Sequence, residues 1–311
     1  MKKNWTVKVA ALMLALTMIT ACFVGSTFAK YVTKAEGEDS ARVAKWGVLI
    51  TVAGNAFSTQ YKTHETGTNA YPGEFSVVAS NGDQVVAPGT SWEDVGTKLT
   101  GTISGTPEVA TRVSLTANTA EDVFLKAGTY KDYTQLVKAA DGTYGYTGEF
   151  TLDKDYSPVK WDMLINGQSL ANKIITALPN YQTVLANYGL TADGCSIHDA
   201  LTILGKLGNP TYQQAVNSAL EQLTHDKGHN FQLKDENGVI TLSLDFDPNT
   251  ALDYKFELVW SWKFEQENVE LYDKADTYLG NVAAGVDGLA ENENVHVHIK
   301  GSLVAAATQI D

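Results

Sequence analysis

From Tyr254 to Phe264 every second residue is large and apolar: Tyr254, Phe256, Leu258, Trp260, Trp262 and Phe264. The positions between them carry Lys255, Glu257, Ser261, Lys263 and, just beyond, Glu265. A period of two held over eleven residues does not fit a helix and calls for a strand with one face in a core. Such a strand cannot bury its apolar face alone, so other strands must flank it and a second layer must cover it. Burying each of these rings contributes roughly 1.5–3 kcal/mol. The stripe therefore suits a core better than an exposed carbohydrate-binding platform.

Candidate partner strands are spread through the chain. Trp46–Ala53 is rich in β-formers, is expected as a first core strand, and ends at Gly54-Asn55. Phe75–Ala79, Lys98–Ser104 (Leu99, Gly101 and Ile103 on one face) and Ala110–Ala117 (Val113 and Leu115 inward) follow. Later, Ile240, Leu242, Leu244 and Phe246 alternate with polar residues. A last strand is expected to put Val295, Val297, Ile299 and Leu303 inward, with His296, His298 and Lys300 outward. Pro88-Gly89, Gly105-Thr106-Pro107 and Pro248-Asn249 mark turns, and Asp141-Gly142 marks a hairpin. Many short strands with turns at this spacing predict a mainly β domain, an antiparallel β-sandwich with jelly-roll-like topology.

Near Asp162 the pattern changes. Met163–Leu178 and Tyr181–Tyr188 carry apolar residues at helical spacing, and Pro179-Asn180 separates the two runs. Ser196 is placed to cap Ile197–Leu207. Thr211–Thr224 carries Ala215, Val216, Ala219 and Leu223 before Gly228. A helical insertion at about 162–228 is thus expected inside a domain spanning 46–311.

The N-terminus has the pattern of an export signal. Lys2, Lys3 and Lys8 precede an uncharged run, Val9–Ala29, that ends in Thr27-Phe28-Ala29. Cleavage is expected between Ala29 and Lys30. Ile19-Thr20-Ala21-Cys22 also fits a lipobox, although an apolar stretch follows Cys22 where a polar tether would begin. The run is also just long enough to stay as an uncut anchor. Removal of residues 1–29 leaves 20 basic and 36 acidic residues, a net charge of −16. Such a surface repels nucleic acid and anionic lipid, so neither is an expected partner. Cys195 would then be the sole cysteine, with no intrachain disulfide to form. Residues 30–45 are polar and charged, as befits a mobile segment.

Several segments in order resemble one family. Ser26–Val32 continues the export segment, and Asp39-Ser40-Ala41-Arg42-Val43-Ala44-Lys45-Trp46-Gly47-Val48 leads into the first strand. Ala87-Pro88-Gly89, then Gly105–Val113, then the long strand from Asp253 to Glu265 and the closing Thr308-Gln309-Ile310-Asp311 complete the set. Together they resemble the TasA/camelysin group, whose precursors are cut by a SipW-type signal peptidase. The resemblance covers both β-parts but not the helical insertion. It implies a secreted jelly-roll subunit of biofilm-matrix fibres on the outside of a Gram-positive bacterium. In such fibres the freed N-terminal segment adds a strand to the next subunit. Here the donor would be Lys30–Ser40, led by Lys30, Tyr31, Val32, Thr33 and Lys34, with Tyr31 and Val32 as anchors. The implied partner is another copy of the chain, with matrix or cell-wall components beside it and no membrane after cleavage. A disordered leader, or an edge strand within its own domain, are the plain alternatives for the same residues.

Camelysin's association with metallopeptidases directs attention to metal ligands. No HExxH occurs. His225 and His229 stand four apart but lack the catalytic Glu, and Gly228 interrupts the helix they need. His296 and His298 share a strand face, and two ligands do not complete a site. His64, beside Glu65, has no evident partner. Asp245-Phe246-Asp247-Pro248-Asn249 starts like a calcium loop, yet Thr250 and Phe256 stand where Gly and Glu are required. Cys195 and His198 would pair only if the chain turned helically between them, and a buried inert thiol is the simpler reading. No P-loop, dinucleotide glycine pattern or nucleophile elbow is present. No enzyme activity and no cofactor are therefore expected. The competing function is a monomeric extracellular binding or adhesion module.

Overall fold

A computed structural model describes residues 43–62, 75–94, 96–119, 124–190, 192, 195–208, 211–224, 229–263 and 269–310. The first half carries β1 (Val48–Ala53), β2 (Gln60–Lys62), β3 (Phe75–Val78), β4 (Thr90–Ser91), β5 (Leu99–Gly105) and β6 (Thr111–Asn118). Next come β7 (Gly128–Asp132), β8 (Val137–Lys138), β9 (Tyr144–Gly145), β10 (Gly148–Leu152), β11 (Val159–Ile165) and β12 (Gln168–Ser169). Four helices follow: α1 (Leu170–Thr176), α2 (Tyr181–Ala186), α3 (Ile197–Leu207) and α4 (Thr211–Thr224). The chain returns to β13 (His229–Glu236), β14 (Val239–Phe246) and β15 (Leu252–Trp262), then α5 (Val269–Ala283) and β16 (Ser302–Gln309). The protein is mainly β, and its ladders are antiparallel.

The larger sheet runs β1-β5-β15-β11-β12, with β4 also paired to β15. The alternating stripe of β15 sets its inner face. Register places Tyr254 beside Ile103, Phe256 beside Gly101, and Trp260 beside Trp161. The smaller sheet runs β13-β14-β6-β16. Its inner face aligns Leu242 with Leu115, Leu244 with Val113, and Ala305 with Leu115. Both inner faces belong to one core, and the Phe246 and Tyr254 rings meet across it at 5.5 Å. Trp260, almost fully buried, donates from Nε1 to the Ala56 carbonyl at 2.7 Å, which satisfies its polar atom.

Three expectations need correction. Met163–Ile165 is not helical: it completes β11, and helix begins only at Leu170. Met163, Leu164 and Ile165 are all buried, so this strand shows a continuous apolar run, which periodicity cannot tell from a buried helix. The insertion is therefore helical over 170–224 rather than from 162. Trp46–Ala53 is no core strand. It is an edge, with Leu49 63% exposed. The expected last strand also shifts: Val295 makes only isolated bridges, and the ladder begins at Ser302. The alternation over 295–300 nonetheless holds, with Val295 buried and His296, His298 and Lys300 exposed.

β15 is less one-sided than its pattern suggests, because Glu257 and Val259 on its reverse face are also buried. The helical layer lies against β11 and β13. Its helices start where capping chemistry allows. Ser169 Oγ accepts the Asn172 N–H at 2.9 Å. Ser196 and Asp199 form a reciprocal capping box at the start of α3. Asn180, left-handed at φ 56°, turns the chain into α2 after Pro179. α5, where only strands were expected, packs Ala275, Tyr278, Leu279 and Val282 into the core. The Asp141-Gly142 hairpin joins β8 to β9 as anticipated.

Gly101 is a point of close approach on the inner face. A Cβ there would lie 2.7 Å from the Phe256 ring. Gly101→Val is expected to destabilise the fold by about 1–3 kcal/mol through overpacking, measured by thermal melting. Adding Phe256→Leu should restore part of the loss.

Candidate functional site

Ten large apolar side chains stand exposed among the described residues, and half of them fall in one region, with Val78 and Leu207 lying apart. Val43, Trp46, Leu49, Val52 and Val304 lie on β1, on the segment entering it, or on β16. These two strands are the outer strands of the two sheets, and they run close together with no ladder joining them. The entry to β1 is held by a reciprocal pair of bonds. Lys45 N–H donates to Glu108 Oε2 at 2.9 Å, and Glu108 N–H donates to the Lys45 carbonyl at 2.8 Å. Three more exposed apolar residues, Leu136, Val137 and Tyr144, sit at the β8–β9 hairpin.

Ala29, Lys30, Tyr31, Val32, Thr33 and Lys34 lie outside the described residues, as do His64 and His225. His229 opens β13, where its backbone pairs with Asp245. His296 and His298 share an exposed side of the segment before β16. His298 Nδ1 is already engaged by Glu291 Oε2 at 2.9 Å, and Glu291 Oε1 also accepts the Val297 N–H. Among the described residues no group of three or more His, Cys, Asp or Glu side chains is arranged to hold a metal ion. Asp245 is bound in a bidentate pair by Arg112, at 2.6 and 2.7 Å, so it is committed to the β6–β14 ladder rather than to a calcium loop.

Cys195 and His198 do not pair. The Cys195 thiol is buried and donates to the Ser196 carbonyl at 3.5 Å, and burial pushes it up to about 12. A thiol held protonated in this way is a poor nucleophile. His198 instead meets Asp235, Nδ1 to Oδ2 at 2.6 Å, and so ties α3 to β13.

A cleft of about 330 Å³ lies where the reverse face of β11 and β15 meets the helical layer and the short turn Trp92–Asp94. Asp162 projects from β11 into this region. Its Oδ1 accepts the Met163 N–H at 2.8 Å and the Ala171 N–H at 3.1 Å, so one carboxyl joins β11 to the start of α1. Burial is the dominant influence on it and pushes it up to about 6, against those bonds and the Ser169 hydroxyl. Nearby, Lys160 Nζ pairs with Asp199 at 3.2 Å. Burial opposes ionisation of Asp199, but Lys160 and Ser196 outweigh it and hold the carboxyl below its ordinary value. A second raised carboxyl, Asp276 on α5, accepts the Tyr156 hydroxyl at 2.6 Å, and burial pushes it up to about 6.

Sequence reasoning passed over both acids. Asp162 could have been noticed as the one acid inside the apolar run Val159–Ile165. Asp276 was hidden with its helix, although Leu271, Ala275, Tyr278, Leu279 and Val282 recur at helical spacing. Set against family models, curated proteins and solved structures, the chain matches none.

Both carboxyls titrate higher in the fold than in the unfolded chain. Their contribution is therefore fully present below about pH 4 and is lost as pH rises toward about 6. The ceiling is about 3 kcal/mol for each group. The carboxyls held low by hydrogen bonds and ion pairs keep their contribution at neutral pH and begin to lose it only as pH falls through about 5 to 4. The chain is expected to resist urea better at pH 4.5 than at pH 7. Asp162→Asn and Asp276→Asn should each flatten that slope, read as the urea midpoint across the range.

Proposed function

We propose that this chain is a secreted structural subunit that assembles into extracellular or cell-surface fibres by strand addition, in the manner of the TasA/camelysin group. The observation that carries the reading is the concentration of exposed apolar residues along β1 and β16, the adjacent outer strands of the two sheets. Outer strands with apolar, uncharged side chains are what folded proteins ordinarily avoid, because they invite pairing with another chain. β16 offers Val304 to solvent together with the small residues Ala306 and Thr308. It carries no charged residue between Ser302 and Gln309.

The length of the leader fits the same reading. Cleavage after Ala29 would leave thirteen residues, 30–42, ahead of the described chain. Extended at about 3.3 Å per residue they reach roughly 43 Å, more than the length of an eight-residue strand such as β16. Because Lys45 is tied to Glu108, this segment departs from a fixed point beside β1. An extended peptide added to a sheet edge gains main-chain hydrogen bonds, and alternate side chains supply specificity. Donation from one subunit to the next is head-to-tail and does not close, so it yields a filament. We read the two-sheet arrangement as a jelly-roll-like sandwich that presents this edge, with self-association as the main partnership and matrix or cell-wall material around it.

The test is direct. Exported protein should begin at Lys30 by N-terminal sequencing, and residues 30–311 should form fibres visible by electron microscopy. Deleting 30–40 should abolish fibres and leave a folded monomer. Val304→Lys, a change at an exposed site that alters stability by about 0.5 kcal/mol or less, should also block assembly. A protein that stays monomeric with 30–40 intact, or forms fibres equally well without it, would reject the proposal.

A further inference from the structure

We propose that the outer face of the smaller sheet is a self-association surface, on which two copies of this chain stack face to face about a twofold axis. The alternation that sends Val113, Leu115, Leu242 and Leu244 into the core turns Ser114, Thr116, Thr241 and Ser243 outward on the central strands β6 and β14. Beside them on β16 stand Val304 and Ala306, both exposed. These outward side chains are short and uncharged, so the face is flat at its centre. The wet face of an antiparallel sheet ordinarily carries polar and charged side chains throughout. Here, among the described side chains, the charges stay at the margin: Lys234 and Glu236 on β13, and Arg112 held by Asp245 at one end. They cancel, although the whole chain carries a net charge of −13. Two copies of an acidic chain repel one another, and a face kept free of that excess is where they approach at least cost.

The ladder registers choose the stacking. Ser114 lies beside Ser243 and Ala306 in one row across the sheet, and Thr116 lies beside Thr241 and Val304 in the row two residues away. A twofold axis that crosses the strands between these rows sets each strand on its own image, running the opposite way. Thr116 of one copy then faces Ser114 of the other, Thr241 faces Ser243, and Val304 faces Ala306. In the same arrangement Lys234 faces Gln232 and Arg112 faces Asn118, so no cation is set against a cation. An axis along the strands would instead press Lys234 onto Val304 and bury an unpaired charge. Stacked sheets approach to about 10 Å, which short side chains on both faces permit. Four strands, each contributing the length from Ser302 to Thr308 or its equivalent, give a flat footprint of roughly 450 Å² per copy. That lies at the weak end of specific interfaces. Such a contact is silent in dilute solution and counts where copies are concentrated or held in arrays.

The test leaves β16 and residues 30–40 untouched, so its failure is separable from that of strand addition. Residues 30–311 should show a monomer–dimer equilibrium by sedimentation up to millimolar concentration; where the chain has polymerised, electron microscopy should show fibres joined side by side. Thr241→Lys alone and Ser243→Glu alone should each weaken this association about tenfold or more with the melting curve in place, because each puts an unpaired charge into the contact. Mixing the two variants should restore it, since the axis sets position 241 of one copy on position 243 of the other. Should either variant melt early, Thr116→Lys and Ser114→Glu are the equivalent facing pair on β6. Deleting 30–40 should leave the contact intact. The inference falls if the chain stays monomeric at millimolar concentration and any fibres stay single. It falls equally if the single variants associate as the native chain does, or if their mixture recovers nothing. Co-sedimentation with cell-wall polysaccharide or lipid vesicles in place of self-association would assign the face to another partner and overturn it as well.

Discussion

Everything in this molecule leans on the ladder between β11 and β15. Seven consecutive pairs, from Val159 with Trp262 to Ile165 with Phe256, hold it. Both strands are covered on two sides. Their inner faces carry Trp161, Met163, Leu258 and Trp260 into the core shared with the smaller sheet. Their reverse faces carry Leu164, Val259 and Asp162 under the helices. A strand pair buried this way loses backbone hydration on both sides, so its main-chain bonds must all be made within the protein. That requirement is why the helical layer cannot be an optional ornament. It supplies the second cover; Asp162 ties its first helix directly to the ladder through the Ala171 N–H, and Ser169 caps that helix.

How much of this was legible in the sequence depended on how many sides of each element are buried. Strands with one wet face declared themselves: β6, β14 and β15 keep the alternation that places Val113, Leu244 and Phe256 inward. Helices with polar starts were equally clear, and α3 and α4 have the bounds that Ser196 and the apolar spacing indicated. β11 was lost because burial on both faces erases the period of two. β1 was misjudged for the opposite reason. Its β-branched and apolar residues suit a core, yet nothing in the described fold covers Leu49. A composition that suits a core, found on an outer strand, is information about partners rather than about folding, and sequence alone does not separate the two. The cleft was illegible for a third reason: its walls come from segments as distant as Trp92, Lys160, Asn172 and Ser261.

The chemically tempting residues have been drawn into the architecture. Asp245 stitches two strands through Arg112, His198 joins a helix to a hairpin through Asp235, and His298 closes a loop with Glu291. The thiol of Cys195 is buried and kept protonated. Groups so engaged lend geometry to the fold. The reactive possibilities suggested by their spacing in the chain are largely used up by these local bonds. The large apolar residues that stay outward-facing lie mostly on β1 and the segment entering it, on β16 and at the β8–β9 hairpin.

The clasp between Lys45 and Glu108 gives this contact chemistry a mechanical side. Any pull on the chain ahead of β1 enters the body at that clasp and then runs along the strand itself. β1 is bonded to β5 through six successive pairs lying side by side along the line of force. Under such a load the bonds share the tension and must rupture as a group, whereas a strand peeled from one end would release them singly. Tension applied ahead of β1 and directed along it would thus meet the fold in its tougher direction.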